Sequence, residues 1–410
     1  MHKKIVYFVT LITFLVTLSG CNNKSYEENN NSTNSESTET PEVKPDPIKE
    51  QISKMTIDEK IGQMIIVGLD GYSMDDNAKK MIENYHVGGF ILFSKNVKDS
   101  AQVVSLTNSL KQTNSANKIP LFVSVDEEGG RVSRMPSSFK KLPTNKVIGT
   151  KNNSELSYKV GELLGDEVKS LGYNVDFAPV LDINSNPKNP VIGDRSFGST
   201  PEIVTKLGIQ TMKGIQSKNV IPAVKHFPGH GDTSVDSHKG LPTVNNDLNR
   251  LNSFELIPFQ EAIKESTDMI MVAHILLPKI DAKYPASMSK TIITDTLRGQ
   301  LKYDGVVITD DMTMGAISKG YKIEDAVVTS VNAGSDIVLV CYENNTQIAA
   351  INSLKKAVET GVIKTETIDK SVYRILKLKN KYNLQDTSIN NPDVTKINNS
   401  IDSVLKTYNK

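Results

Sequence analysis

The side chains best suited to chemistry are concentrated in one stretch of this sequence, KHFPGHGDTSVDSH, at positions 225–238. It holds three of the chain's six histidines, His226, His230 and His238, together with Asp232 and Asp236. Histidines close to aspartates suit two kinds of chemistry: they bind zinc, or they transfer protons while an aspartate orients the imidazole. The stretch is therefore a candidate for either a metal site or an acid/base site.

The local sequence favours acid/base chemistry. Metal ligands in a motif such as HExxH lie on one face of a helix, whereas Pro228, Gly229 and Gly231 indicate a loop. In an acid/base pair, Asp236 would accept a hydrogen bond from one ring nitrogen of His238 and stabilise the protonated ring. We expect this pair to be catalytic and expect neither a metal ion nor an organic cofactor. A metal site, or histidines that only bond loop carbonyls, are the alternative interpretations.

A second reactive group follows the apolar segment GVVIT, in GVVITDDMTM. A carboxylate directly after a strand projects from its end, which suits Asp310 as a nucleophile or an electrostatic stabiliser. The alternative for Asp310 is the N-cap of the segment that follows. Asp311 is better suited to that N-cap, because strand alternation points it away from the same spot.

Short segments rich in β-branched residues recur along the chain and would position these groups. We predict strands at 61–68, 88–93, 121–125, 174–180, 221–225, 269–274, 305–309 and 336–341. Several are apolar without alternation, which is typical of parallel strands buried on both faces. Segments with helical spacing follow the strands, and Ser154 and Ser253 are predicted N-caps. The alternation predicts a single (β/α)8 TIM-type barrel, with a doubly wound open sheet as the alternative.

Unusual polar residues follow four of the predicted strands. DEEGGRVSR follows the third, IGDRSFG comes in the long loop after the fourth, KHFPGHGDTSVDSH spans the end of the fifth and the loop after it, and DD follows the seventh. Catalytic residues of such barrels lie at the carboxyl ends of the strands. The sequence therefore predicts one active site at that end of the barrel.

The N-terminal residues have the pattern of a lipoprotein signal. Lys3 and Lys4 precede an apolar stretch, and Leu-Ser-Gly-Cys ends at Cys21 and resembles the bacterial lipobox. We expect residues 1–20 to be a signal peptide and Cys21 to carry lipid that anchors the protein at the extracytoplasmic face of the bacterial cell membrane. The alternative is a single-pass signal anchor.

The rest of the chain divides by composition. Residues 21–46 are polar and predict a disordered tether, 47–384 form the predicted catalytic domain, and 385–410 form a polar tail that lies on the domain or trails from it. The 48 Lys and Arg residues nearly balance the 47 Asp and Glu residues, which argues against nucleic-acid binding. We expect a monomer.

Cysteine and tryptophan usage narrows the function further. Two distant cysteines, Cys21 and Cys341, exclude a disulfide framework and a cysteine-based zinc site. The sequence contains no tryptophan, which disfavours a long cleft that stacks several sugar rings.

Taken together, KHFPGHGDTSVDSH, DEEGGRVSR, IGDRSFG and GVVITDDMTM resemble glycoside hydrolase family 3, in particular its β-N-acetylhexosaminidase branch, which acts on peptidoglycan fragments. The resemblance runs from about Met55 to Tyr382. It implies that Asp310 is the nucleophile and that His238 is the general acid/base, oriented by Asp236.

The resemblance also implies a set of sugar-binding residues: Asp126, Arg134, Arg195, Lys225 and His226. One departure is Glu127, where many relatives carry glutamine, and an extra carboxylate there could alter substrate preference. The implied reaction is retaining, exo-acting removal of terminal GlcNAc from cell-wall fragments through a covalent glycosyl-enzyme.

Three alternatives remain at this stage. The chain could be another family 3 β-glycosidase, such as a β-glucosidase. It could be a GlcNAc phosphorylase, because a neutral imidazole does not repel phosphate as a carboxylate would. It could also be a sugar-binding lipoprotein without turnover, which predicts the loss of at least one of Asp310, Asp236 and His238, and all three are present.

Overall fold

The structure is a computed structural model that describes residues 46–408. Cys21, the predicted signal peptide and almost all of the predicted tether lie outside the described residues. Within 46–408, eight parallel strands pair in sequence order, and the eighth pairs with the first. The barrel is closed, which confirms the predicted (β/α)8 architecture and excludes the open sheet.

The strands are β1 Ile65–Gly68, β2 Gly89–Leu92, β3 Phe122–Val125, β4 Val175–Asp176, β5 Ile221–Phe227, β6 Met269–Val272, β7 Val306–Asp311 and β8 Ile337–Val340. Nearly all of their residues are buried, because side chains on one face fill the barrel and those on the other pack against helices. Each strand overlaps its prediction. The fifth prediction ended two residues early, since His226 and Phe227 continue the strand.

The first strand was predicted to begin too early. Ile61 belongs to a helix, α2, which spans Ile57–Gln63, and β1 begins only at Ile65. The Thr56 hydroxyl accepts a hydrogen bond from the Glu59 N–H, and the Glu59 carboxylate accepts from the Thr56 N–H. This capping box fixes the start of α2 and carries Ile61 into a helix.

The helices are α1 Pro47–Ser53, α2 Ile57–Gln63, α3 Asp76–Glu83, α4 Ser100–Thr113, α5 Asn145–Lys151, α6 Ser154–Ser170, α7 Pro201–Ser217, α8 Leu248–Ser253, α9 Ile257–Lys264, α10 Gly315–Ser318, α11 Ile323–Ala333, α12 Asn344–Glu359, α13 Thr365–Lys381 and α14 Val394–Tyr408. A π-helical segment, Thr291–Gln300, lies between α9 and β7. Within residues 46–408, no helix is long and apolar enough to cross a membrane.

Both predicted N-caps were wrong. Ser154 is the first residue of α6, and the Asn153 side chain caps that helix by accepting from the Leu156 N–H. Ser253 ends α8 instead of preceding a helix, and Asp247 caps α8. Asparagine and aspartate accept the free N–H groups of a first turn at least as well as serine, so serine alone did not locate the cap.

Residues 385–408 lie against the outside of the barrel. The Asp386 carboxylate accepts hydrogen bonds from the Leu121 N–H and the Asn114 side chain. Farther on, α14 packs on α6 and buries Ile401 completely. The Asn398 side chain donates a hydrogen bond to the Ser138 carbonyl and accepts one from the Lys140 N–H. Both residues lie in the loop that follows β3. This end of the chain therefore supports a loop that contributes to the pocket.

Candidate active site

The carboxyl ends of the strands surround a polar pocket with a cavity volume of about 480 Å³. That volume is in the usual range for small-molecule sites. The pocket is lined by all of the residues predicted to act on or bind a substrate: Asp126, Arg134, Arg195, Lys225, His226, Asp236, His238 and Asp310. Although they are spread over nearly 200 positions, the barrel brings them together.

Asp310 lies at the end of β7, where the pocket reaches its side chain. One carboxylate oxygen accepts the Asp311 N–H at 2.8 Å. Burial opposes ionisation of Asp310, but its pKa is nevertheless lowered. The groups that outweigh burial are the imidazoles of His274 and His226, the Asp311 N–H and the Lys225 ammonium. The carboxylate is therefore held ionised at neutral pH.

Asp311 does not cap a helix, contrary to prediction. Its carboxylate accepts hydrogen bonds from the N–H and hydroxyl of Thr313 and from the N–H of Cys341. Met314 occupies the N-cap position of α10. Asp311 instead joins the turn after β7 to the end of β8, and this arrangement fixes the backbone that carries Asp310.

A buried network of ion pairs forms the side of the pocket at β3 and β5. The Lys225 ammonium lies 2.6 Å from Asp126 and 2.7 Å from Glu128. Glu128 also accepts two hydrogen bonds from the Arg195 guanidinium, at 2.7 and 2.8 Å. Burial favours neutral Glu128, but the two cations outweigh it and hold the pKa of this carboxyl well below its ordinary range. The four charges balance, so each can stay ionised in a buried place.

Two glycines shape the loop that presents this network. Gly129 and Gly130 both have positive φ, +77° and +58°, and a Cβ on Gly130 would come within 2.4 Å of the Thr144 side chain. Glycine is the residue that adopts this backbone without steric cost. The turn reverses the chain directly after Glu128 and brings Arg134 back to the pocket.

The histidine that an aspartate orients in this structure is His226. Its Nδ1 lies 2.6 Å from the Asp182 carboxylate, and its Nε2 lies 3.4 Å from the Arg195 guanidinium. Asp182 also accepts the His230 N–H at 2.6 Å. Burial raises the pKa of Asp182, but His226 and His230 outweigh it, and the net pKa is lowered. His226 is thereby fixed in orientation at the pocket wall.

His230 also lines the pocket, but its ring is bonded within the loop that follows β5. Its ring contacts the hydroxyls of Thr233 (2.9 Å) and Ser237 (3.3 Å), and its side chain is buried. Burial lowers the pKa of His230 to about 4, with a further contribution from His226. The neutral ring therefore holds Ser237 in place beside His238.

His238 itself is exposed at the pocket mouth, and Asp236 is half-buried. Asp236 accepts a hydrogen bond from the backbone N–H of His238 at 2.9 Å. Within residues 46–408, the His238 imidazole forms no ion pair with Asp236, unlike the pairing of His226 with Asp182. The predicted partners are therefore adjacent, and the carboxylate is bonded to the backbone instead of the ring.

Arg134 lines the pocket and is positioned through its backbone by Glu127, whose carboxylate accepts the Arg134 N–H at 2.7 Å. Burial raises the pKa of Glu127 to about 7, although hydrogen bonds from Arg134, Ser133 and Gly129 oppose this. Glu167 and Asp176 lie in the same buried region, and burial also raises their pKa values. Three carboxyls thus share a region beneath the β3 loop.

Sequence reasoning gave no role to Glu128 or Asp182, although both are buried and bond predicted site residues. Glu128 was visible as part of an acidic trio after β3. Asp182 had a weaker signal, as an aspartate in the apolar run VLDI near the end of β4. Neither partner was identifiable before the fold was known, since each lies more than forty positions from the residue it bonds.

Among residues 46–408, no group of three or more histidine, cysteine, aspartate or glutamate side chains is arranged to hold a metal ion. In the loop considered for zinc, His226 and His230 have protein partners at their ring nitrogens. The charged groups at this pocket are the ion-paired side chains of its β3 and β5 side and the carboxylate of Asp310.

Comparison with solved structures shows the same architecture. A glycoside hydrolase family 3 β-N-acetylglucosaminidase from Paenibacillus sp. str. FPU-7 aligns with a TM-score of 0.82 and 41% identity, over 86% of this chain and 69% of that one. LpqI of M. tuberculosis aligns with a TM-score of 0.73 and 31% identity, over 81% and 96% of the two chains.

Sequence comparison agrees. "Beta-hexosaminidase A" of Pseudoalteromonas piscicida is 42% identical over 74% of this chain, which spans only 54% of that relative's length. "Beta-hexosaminidase LpqI" of Mycobacterium tuberculosis is 33% identical over 78% of this chain and 82% of its own length. Residues 56–378 match the profile of the glycosyl hydrolase family 3 N-terminal domain. This chain therefore belongs to glycoside hydrolase family 3.

Proposed function

We propose that the protein is a retaining exo-β-N-acetylglucosaminidase that removes terminal GlcNAc from peptidoglycan fragments. The proposal depends above all on Asp310, an ionised carboxylate at the base of a pocket whose mouth carries an exposed histidine, His238. Relatives in the family that are named β-hexosaminidase or β-N-acetylglucosaminidase support the choice of sugar.

The ion-pair side of the pocket would bind the terminal sugar. Asp126, Lys225 and Arg195 present carboxylate, ammonium and guanidinium groups to the cavity, and His226 presents Nε2. Such groups donate to and accept from sugar hydroxyls. Because Glu128 and Asp182 hold three of these side chains in place, little side-chain entropy is lost on binding. The bound ring would present its anomeric carbon to Asp310.

In the first step, a carboxylate oxygen of Asp310 attacks the anomeric carbon, and a glycosyl ester forms as the bond to the leaving oxygen breaks. The leaving oxygen takes a proton from His238, which becomes neutral. The alcohol then departs through the pocket mouth, where His238 lies.

In the second step, neutral His238 removes a proton from water as the water oxygen attacks the anomeric carbon. The ester bond breaks and its electron pair returns to the Asp310 carboxylate. GlcNAc leaves with its original anomeric configuration, since the carbon has been inverted twice. A histidine can perform both transfers because its unperturbed pKa lies near neutrality.

A direct test uses p-nitrophenyl β-GlcNAc and p-nitrophenyl β-glucoside with the purified protein. We expect nitrophenol release from the GlcNAc substrate, much slower release from the glucoside, and a loss of about a thousandfold or more in kcat for Asp310→Asn. Trapping with a slow 5-fluoro GlcNAc glycoside should add one sugar mass to the peptide that contains Asp310.

Some results would contradict this proposal. No nitrophenol from either substrate, or full activity of Asp310→Asn, would exclude the mechanism. Faster release from the glucoside would favour a β-glucosidase. Sugar phosphate as the product in phosphate buffer would identify a phosphorylase, which Asp310 and His238 would serve with phosphate in place of water.

We also propose that Cys21 carries the lipid that holds the enzyme at the outer face of the cell membrane. The support is the Leu-Ser-Gly-Cys sequence after an apolar stretch. Cys21→Ala should move the protein from the membrane fraction to the soluble fraction. Equal membrane recovery of the variant and the wild type would exclude this anchor.

A further inference from the structure

An aromatic pair that has no role in the steps above lies at the pocket mouth. Phe93 directly follows β2, and Tyr342 lies two residues after the end of β8. Their rings stack across the barrel rim with centroids 5.3 Å apart and planes inclined by 20°. Both residues line the same pocket as Asp310, and Tyr342 remains 43% exposed, which is unusual for a large ring.

The pair is held in place from the β2 side. The Phe93 N–H donates to the Asn96 side chain, and the buried Asn96 amide donates to the carbonyls of Leu69 and Gly71. The Lys95 ammonium lies 4.7 Å from the centre of the Tyr342 ring. Phe93 packs against the core, and the two loops and the Lys95 cation hold the exposed Tyr342 ring on top of it.

The loop that carries His238 and the segment that carries Tyr342 are both bonded to the residues that end β7 and follow it. The Ala316 N–H donates to the carbonyl of Ser237, next to His238, so the loop after β5 is bonded to the segment after β7. Strand β8 neighbours β7, and the Cys341 N–H, directly before Tyr342, donates to Asp311. His238 and Tyr342 thus flank the same short segment, one on each side.

The two depths of the pocket differ in chemistry. The base carries charged groups such as Lys225 and Arg195, which suit the hydroxyls of one sugar. At the mouth, Tyr342 exposes an aromatic surface. The face of a pyranose presents weakly positive C–H bonds, which pack on the negative face of an aromatic ring. The mouth therefore suits a second ring rather than open solvent.

We propose that Phe93 and Tyr342 form the wall of a subsite that binds the sugar ring of the leaving group. This inference rests on the proposed glycosidase function and deepens it. The natural substrate would then have a sugar as its leaving group, as in a GlcNAc-terminated disaccharide.

The test compares two substrates that differ only in the leaving group: the β-1,4-linked GlcNAc disaccharide and methyl β-GlcNAc. For Tyr342→Ala, the ratio of kcat/KM for the disaccharide to that for the methyl glycoside should fall about five- to tenfold, mainly through KM. Tyr342→Phe should restore the ratio. Tyr72→Ala removes a tyrosine that is 52% exposed and does not line the pocket, so it should leave the ratio unchanged.

An equal loss on both substrates, or an unchanged ratio in Tyr342→Ala, would overturn the subsite. Binding separates this failure from failure of the proposed function. In an Asp310→Asn background, calorimetry should show that the disaccharide binds more tightly than free GlcNAc and that Tyr342→Ala removes the difference. If the wild type cleaves neither substrate, the glycosidase proposal fails. The subsite is then still tested by the difference in affinity between the disaccharide and free GlcNAc.

Discussion

The two sides of the pocket are constructed by different means. On the β3 and β5 side, Glu128 and Lys225 are almost completely buried and form ion pairs at 2.7 Å. On the side towards β7, His238 is exposed, and its loop is held there mainly through backbone groups, such as the hydrogen bond from the Ala316 N–H to the Ser237 carbonyl. One side is fixed by paired charges, and the other carries a group with few side-chain contacts.

This difference separates two requirements of the proposed reaction. A sugar must be held in one orientation, and charged side chains that are already fixed hold it with little loss of side-chain entropy on binding. A proton donor must approach a leaving group and later a water molecule, so a loop with weak side-chain restraints suits it. We therefore expect substitutions on the ion-pair side to affect stability and binding together, and substitutions on the loop to affect catalysis alone.

The largest effect is expected for His238→Ala. Its kcat on methyl β-GlcNAc should fall about a thousandfold or more because protonation of a poor leaving group is lost. On a 2,4-dinitrophenyl glycoside, whose leaving group needs no proton, the loss should be far smaller. The melting temperature should stay close to that of the wild type, because the side chain is exposed.

His226→Ala is the matched control for that experiment. His226 is buried and paired with Asp182, so its loss should reduce kcat/KM for both leaving groups alike. If His238→Ala also impairs both substrates equally, His238 does not donate the proton and the division between the two sides is wrong.

The next effect concerns stability. Glu128→Gln removes the charge that pairs with both Lys225 and Arg195 and leaves an excess of buried positive charge. We expect the free energy of unfolding to fall by about 3–5 kcal/mol, measured by urea denaturation. Substrate binding should weaken as well.

The control for Glu128 is Asp194→Asn, at an exposed ion pair with Arg131. Exposed pairs contribute little, so the change should stay below about 1 kcal/mol. Equal effects of the two substitutions would mean that the buried network does not support this side of the pocket.

A smaller effect should appear in the pH dependence of stability. The folded-state pKa of Glu127 is raised to about 7 from an ordinary value of 4.5. Its stabilising contribution is complete below about pH 4.5 and is lost as the pH rises through 7, where the buried carboxyl ionises. At pH 8, the free energy of unfolding of Glu127→Gln should therefore exceed that of the wild type by roughly 2–3 kcal/mol. The difference should become smaller towards pH 5.

Denaturation of both proteins at several pH values between 5 and 8 measures this difference. His230 titrates in both proteins, so its contribution cancels in the comparison, whereas Glu167 and Asp176 lie beside Glu127 and contribute to the difference. A constant difference across the range would show that Glu127 is ionised throughout. Glutamine retains an acceptor for the Arg134 N–H, so any change in activity should be modest.

Features that depend on a local sequence pattern were predictable from the sequence. Strands such as β7 were recognisable because parallel strands buried on both faces are continuously apolar. Asp310 followed from its position directly after one of them. These are local patterns, and a barrel converts them into a shared site.

Features that depend on distant contacts were not predictable in this way. The pairing of His226 with Asp182 joins residues 44 positions apart, and nothing in either segment specifies it. The loop that carries His238 has little regular structure, so its contacts with Gly315 and Ala316 depend on packing between strand ends. The sequence suggested a carboxylate-oriented histidine, and the structure places that geometry at His226.

The smallest effect on catalysis is expected for Asp236→Asn, which tests whether Asp236 and His238 pair during turnover. Asparagine keeps an acceptor for the His238 N–H and removes only the negative charge. Because the ring and the carboxylate are not bonded in this structure, we expect kcat on methyl β-GlcNAc to fall only about tenfold, well below the loss in His238→Ala.

The pH profile of Asp236→Asn gives the sharper readout. A change in the profile relative to the wild type would show that the charge of Asp236 acts on the His238 ring during turnover. A profile identical to that of the wild type would mean that Asp236 positions only the backbone of the loop. A loss of kcat as large as that of His238→Ala would mean that substrate binding brings the His238 ring and the Asp236 carboxylate together. The exposed side of the pocket would then be as ordered as the ion-pair side when substrate is bound.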